Sequence, residues 1–184
     1  MQPFYRILKA RQRDLCWLPG IELAAAALLL GHAPESVLSE TTAERDFREA
    51  QAQGRLWVAL DGDVPVGFAH VEVFSTRAAH LEEVDVHPAH GRRGLGTRLV
   101  VAVREWAARS GYRELTLTTF REVPWNMPFY ARLGFQEVPT GELTSDLMSV
   151  VRDETRRGLD PARRVVMRLV TVSRRPVDGP QEGT

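Results

Sequence analysis

The chain of 184 residues carries 24 basic and 24 acidic side chains, which cancel. That length fits one domain with a real core, and the absent net charge argues against a long nucleic-acid track or a general membrane-surface field. Cys16 is the only cysteine, so an intrachain disulfide and a cysteine-based metal cluster are excluded, as suits a reducing cytoplasm.

In chain order, Phe4–Ala10 reads as a first strand. Asp14 is expected to cap a helix running to about Leu30, with a kink at Pro19. Pro19 and Glu22 interrupt the apolar run there, which falls short of the ~20 residues that cross a bilayer. A core-facing helix with its acidic side outward is therefore expected, with Cys16 and Trp17 in buried packing. Residues 31–42 read as a loop, followed by a short helix ending near Gly54. Leu56–Leu60 and Val66–Phe74 flank the Asp61-Gly62-Asp63 turn as a hairpin. Ala79–Val86 is the next strand, then a helix over Gly96–Ser110 stopped by Gly111, then a β-branched strand over Tyr112–Thr119. A short helix at Asn126–Leu133, a strand at Phe135–Val138, a helix at Leu143–Arg157 and a strand at Arg163–Thr171 complete the domain, 1–172. The tail 173–184 holds prolines and glycines without apolar periodicity and is expected to be disordered. The order implies an α/β fold: a single mixed, mostly antiparallel sheet flanked by helices.

The most informative stretch is the turn between strand and helix, His87-Pro88-Ala89-His90-Gly91-Arg92-Arg93-Gly94-Leu95-Gly96-Thr97. A helix N-terminus offers unpaired N–H groups and a positive dipole end to anions, and glycines let a phosphate approach the backbone. The glycine order differs from the dinucleotide fingerprint, and the Lys of a nucleotide-triphosphate loop is missing.

Val84-x-Val86-x-Pro88 with Arg92-Arg93-Gly94-Leu95-Gly96-Thr97 resembles motif A of the GCN5-related N-acetyltransferase (GNAT) superfamily, and Tyr130-x-x-x-Gly134-Phe135 resembles its motif B. The resemblance covers about residues 4–139, with the two motifs in the right order. It implies acetyl-CoA, or another acyl-CoA, as donor, no metal, and a primary amine as acceptor, here a small-molecule amine, with direct transfer in a ternary complex. Val84 and Val86 would pair with the pantetheine arm, and Arg92, Arg93, Gly94, Leu95, Gly96 and Thr97 would hold the pyrophosphate, with Asn126 as a further cofactor contact. Gly91 replaces the family's first motif A side chain, so Arg92 or Arg93 must substitute, and Val123 stands where the family usually has an asparagine. Tyr130 matches the family's general acid. Strand alternation puts His80, Glu82, Val84 and Val86 in one phase and Leu81, Glu83 and Asp85 in the other. Members of the superfamily often place the base four or six residues before the valine that Val86 matches, so the resemblance implies Glu82 as the first choice of base, with His80 as partner.

Other residues invite blander readings. His32, His87 and His90 are expected at the surface, Trp57 and Trp106 in the core, and Arg156, Arg157, Arg163 and Arg164 on a solvated face. His70 and Glu72 alternate with Phe68 and Phe74 and fit either a cleft wall or a solvated edge. Trp125 is a candidate wall of the thioester site, and residues 15–42 and 74–79 would shape the acceptor site. The expected partners exclude nucleic acid and membrane and leave a homodimer open. A protein or peptide amine as acceptor, and a non-catalytic acyl-CoA sensor, are the alternatives. Thr118 stands where ribosomal-protein acetyltransferases of the superfamily commonly carry a glutamate, which disfavours that acceptor class.

Overall fold

The computed structural model describes residues 4–75 and 77–171; the expected disordered tail, 173–184, lies outside them. Seven strands form one sheet: β1 (Tyr5–Lys9), β2 (Leu56–Asp61), β3 (Val64–Val73), β4 (Ala78–Val86), β5 (Glu114–Phe120), β6 (Gln136–Glu137) and β7 (Arg164–Val170). Their order is β1-β2-β3-β4-β5-β7-β6. Only β4 and β5 run parallel, joined by the crossover helix between them. The six α-helices among the described residues are α1 (Leu18–Ala26), α2 (Glu35–Leu38), α3 (Glu44–Ala52), α4 (Leu95–Arg109), α5 (Met127–Arg132) and α6 (Ser145–Arg156).

Strand alternation sorts the apolar residues to two faces. Trp57, Ala59, Ala69, Val71, Ala79, Leu81, Leu115 and Leu117 join Leu95, Leu99, Val100 and Val103 of α4 in the larger core. Leu56, Val58, Leu60 and Phe68 face the other way, against Leu18 and Ile21 of α1 and Phe47 of α3. On that second face α6 packs Leu147 and Val151 against Val166 of β7. Between α1 and α6 the second face is left as a cleft.

Two irregularities shape this cleft. The β3–β4 register steps from His70↔Glu83 to Val71↔Leu81, so Glu82 is an extra, unpaired residue on β4. A bulge inverts the side-chain phase beyond it. Ala79 and Leu81 face α4 before the bulge, Val84 and Val86 after it, whereas Glu83 and Asp85 line the cleft. This corrects the unbroken alternation expected from the sequence. The second irregularity is a splay: β4 pairs with β5 only through Ala78, Ala79 and His80, and the strands then diverge.

The N-terminal helical segment also departs from expectation. Residues Gln12–Trp17 form a 3-10 helix, α1 follows, and a second 3-10 turn covers Ala27–Leu29. Arg11 is the N-cap, and Asp14, three residues in, accepts from the Arg11 backbone N–H at 2.8 Å. Three residues per turn put Leu15, Leu18 and Ile21 inward. Cys16 and Trp17 are therefore exposed rather than buried. Glu22 turns inward, not outward, because Thr42 caps it: the Thr42 backbone N–H and hydroxyl both donate to its carboxylate, at 2.9 Å and 3.0 Å.

Candidate active site

The splay exposes backbone groups. The His87 N–H donates to the Val66 carbonyl at 2.9 Å. In an antiparallel ladder such bonded residues alternate with residues whose N–H and C=O point the other way. Val84 and Val86 therefore turn their peptide groups away from β3, toward the gap left by β5. Gly67 of β3 lies opposite Val86, and a Cβ there would stand 2.8 Å from the Asp85 carbonyl oxygen. The missing side chain lets the two strands close tightly along this edge.

At the mouth of the gap, Arg92 and Gly94 both adopt left-handed backbone, with φ of 56° and 74°, and α4 begins at once. Its first intrahelical bond runs from the Arg98 N–H to the Gly94 carbonyl, so the N–H groups from Gly94 to Thr97 have no helical partner. No acidic side chain sits in the first turn of α4. This is an anion cradle of backbone donors. The two arginines behave differently: Arg93 donates to the Tyr5 hydroxyl and to the Ala89 carbonyl at 3.5 Å, while Arg92 is exposed. Arg93 braces the turn, whereas Arg92 makes no side-chain hydrogen bond or ion pair among the described residues.

Helix α5 approaches the gap from the α4 face. Tyr130 packs edge-on against Phe129 and Phe135, at 5.0 Å and 5.8 Å between ring centroids, and lines the cleft. Burial, then the charges of Asp85 and Glu83, push its hydroxyl above the ordinary phenol range. Asn126 is the N-cap residue of α5 but makes no side-chain cap bond, so its carboxamide stays free in the cleft wall. Trp125 is half exposed and meets His32 edge-on, and neither side chain lines the cleft.

The cleft encloses about 520 Å³. At one end Glu22, Glu83 and Asp85 converge, and Thr42 Oγ1 lies 3.0 Å from Glu22 and 3.4 Å from Glu83. Burial, then Asp85 and Glu22, raise the Glu83 carboxyl well above its usual value. Burial and the Glu22 charge push Asp85 up to about 7, against the opposing hydrogen bond from Glu83. Like charges brought together out of water cannot all ionise, so this group retains a proton near neutrality. Further along, Glu82 keeps 39% side-chain exposure. Its carboxyl is raised to about 7 by desolvation first, then by Glu72 and Glu154.

His80 does not reach the cleft. It is 1% exposed, stacks on Phe74 at 4.8 Å, and is held at about 3 by burial and then the Arg164 cation. Its Nδ1 lies 2.9 Å from Thr116 Oγ1, whose hydroxyl donates to the Ala79 carbonyl. The Nδ1–H form follows, and Nε2 faces Glu82 at 3.8 Å. A neutral ring behind Glu82 can orient that carboxyl but cannot touch an amine. Arg164 also departs from the expected solvated face. It forms an ion pair with Glu154, with side chains 11% and 12% exposed, and donates to Thr118 Oγ1 at 2.9 Å. The Thr118 hydroxyl donates in turn to Glu154, which ties β5, β7 and α6 together at that point. Sequence reasoning passed over Glu22, Glu83, Asp85 and Glu154; the doubled glutamate at 82–83 was their one local signal.

Among the described residues no group of three or more His, Cys, Asp and Glu side chains is arranged to hold a metal ion, and no helix is long and apolar enough to cross a membrane. The profile of the acetyltransferase (GNAT) family matches residues 24–135. This chain belongs to the GNAT acetyltransferase family. It is 34% identical over 88 residues to the mycothiol acetyltransferase of Rhodococcus erythropolis, a match spanning 47% of this chain and 29% of that protein. Its fold resembles the PaiA N-acetyltransferase of Thermoplasma acidophilum solved with coenzyme A, with a TM-score of 0.72 and 16% identity over 91% of this chain and 99% of the other. It also resembles the ribosomal-protein-S18-alanine N-acetyltransferase of Escherichia coli, with a TM-score of 0.64 and 20% identity over 97% and 99% of the two chains.

Proposed function

We propose that this protein transfers an acetyl group from acetyl-CoA to a primary amine of a small molecule, directly and with both substrates bound. The observation that carries this reading is the gap between β4 and β5. On one side lie the unpaired Val84 and Val86 edge and the free amides of α4; on the other lie Tyr130 and a wall of carboxyls. The pantetheine arm would pair with Val84 and Val86 as an added strand, and the pyrophosphate would rest on the amides of Gly94, Leu95, Gly96 and Thr97 beside Arg92. The free carboxamide of Asn126 would hold the pantetheine from the α5 side.

An alkylammonium of pKa ~10.4 must lose a proton before it can attack. The Glu83–Asp85 pair faces Tyr130 and takes that proton, a task matched to a carboxyl titrating near neutrality. The amine nitrogen then bonds to the thioester carbon as the C–S bond breaks, with the carbonyl oxygen held by the Val86 N–H. Tyr130 gives its hydroxyl proton to the departing thiolate. The second amine proton passes through the carboxyl pair back to the Tyr130 oxygen, and one proton leaves to solvent. His80 positions Glu82 and takes no proton itself.

A small acceptor suits a cleft of about 520 Å³ in whose wall Arg157 of α6 bridges to Glu40 at 2.8 Å. The enzyme would work in the cytoplasm, where reduced thiols persist. The test is CoA thiol release from acetyl-CoA across a panel of small amines, amino acids and peptides. Release with small amines above that with peptides supports the reading. Tight acetyl-CoA binding without release with any of them leaves a non-catalytic acyl-CoA sensor.

A further inference from the structure

The acceptor cleft continues beyond Glu82. A second cavity of about 340 Å³ opens under α6 and shares Glu72, Glu82, Glu154 and Arg157 with the first. Its far wall adds Asp146. The two cations of this cleft are already committed, Arg164 to Glu154 and Arg157 to Glu40. Glu72 and Asp146 make no salt bridge or side-chain hydrogen bond among the described residues, and Glu82 meets only the neutral His80 ring. A chain without net charge thus concentrates uncompensated carboxyls at both ends of one cleft. The cluster Glu22–Glu83–Asp85 marks the end facing Tyr130, and Glu72, Glu82 and Asp146 mark the other.

A separate observation shows what these walls await. His70, 3% exposed, sits on β3 opposite Glu83 and lines the cleft. Its Nδ1 has no hydrogen-bond partner among the described residues. Burial, then Arg55, lower it to about 4, so the ring is neutral and can present a bare acceptor nitrogen. An unpartnered ring nitrogen at the Glu83 end of the cleft leaves one acceptor for an N–H of a bound amine.

We propose that the acceptor is an aliphatic di- or polyamine, held with one amine beside Glu83, Asp85 and His70 and a second ammonium between Glu72, Glu82 and Asp146. The spacing follows from the register. Glu83 lies opposite His70, Asp85 opposite Phe68, and Glu72 is two and four residues further along β3. At about 3.3 Å per residue the two anionic centres stand roughly 7–13 Å apart. A monoamine would leave the far carboxyls unpaired, and a carboxylate at the distal position would be repelled. The far end thus sets specificity by attraction and repulsion together.

This inference rests on the amine-acceptor reading above, and the experiment separates the two. The full chain is assayed for CoA release with α,ω-diamines of graded length, n-alkyl monoamines of matched length and ω-amino acids. Binding of each compound is measured independently by thermal shift. Diamines are expected to exceed matched monoamines at least tenfold in kcat/KM, with an optimum at nitrogen separations of about 7–13 Å, and ω-amino acids are expected to be poorest. Replacing Glu72→Gln together with Asp146→Asn should reduce the diamine-to-monoamine ratio at least tenfold, through KM rather than kcat. Equal use of diamines and monoamines, or preference for ω-amino acids, overturns the proposal and leaves acetyl transfer standing. Diamine binding that is lost in the double variant, without turnover of any amine, overturns acetyl transfer and leaves the two-centre cleft standing. A folded wild type that neither binds nor turns over diamines overturns the two-centre cleft.

Discussion

Replacing Asp85 by asparagine should change how stability depends on pH. In the folded protein Asp85 titrates at about 7, whereas an unfolded aspartate titrates near 3.9. A carboxyl raised in this way contributes stability that is complete below the unfolded value and is lost as pH rises through the folded one. The loss therefore falls between about pH 4 and pH 7, and linkage over a shift of that size amounts to about 2–3 kcal/mol between pH 5 and pH 8. For a chain of this length each kcal/mol moves Tm by about 2–4 °C, so this group alone should lower the wild-type Tm by roughly 4–12 °C between those pH values. Asparagine keeps the shape and the hydrogen bond to Glu83 without an ionisable proton, and it relieves the Asp85 charge that helps raise Glu83. Thermal unfolding of both proteins at pH 5 and pH 8 should show a smaller decrease for Asp85→Asn, with the variant more stable than wild type at pH 8. An unchanged decrease, or a wild-type Tm that rises with pH, would refute the protonated carboxyl cluster.

Four further outcomes follow from the same geometry. With amine in excess, the activity should climb as pH rises through about 7, because only the ionised pair accepts a proton; a pH–rate profile of Asp85→Asn should lack that limb. Gly67→Ala should weaken CoA binding in a calorimetric titration and cost about 1–3 kcal/mol in stability. The new Cβ meets the Asp85 carbonyl oxygen at 2.8 Å, a backbone atom that can yield only by moving the β4 edge. Arg164→Met should cost about 3–5 kcal/mol in denaturant unfolding, because it leaves Glu154 buried without its partner. The half-exposed Arg157–Glu40 pair should cost less than about 1 kcal/mol when broken.

The mixed sheet, most of its elements and the glycine turn before α4 could be read from the sequence because local signals mark them. These are the β-branched runs, the turn glycines, the left-handed glycine before α4 and the Tyr130 motif. The acceptor half could not, because its geometry depends on contacts distant in the chain. The bulge at Glu82 is set by pairing with β3, and nothing in Leu81-Glu82-Glu83-Val84 says which glutamate is extra. Glu22 faces the cleft because Thr42, twenty residues on, caps it. The Arg93 guanidinium donates to the Tyr5 hydroxyl, 88 residues back in the chain, a contact no local signal announces.

The most direct measurement compares CoA release from acetyl-CoA with a small amine for wild type and Tyr130→Phe. Phenylalanine preserves the packing against Phe129 and Phe135 and removes only the proton donor. If Tyr130 protonates the departing thiolate, release should fall by about 10²–10⁴-fold while acetyl-CoA affinity and Tm stay near wild type. Unchanged turnover in a folded Tyr130→Phe, or no turnover in the wild type, would contradict the account.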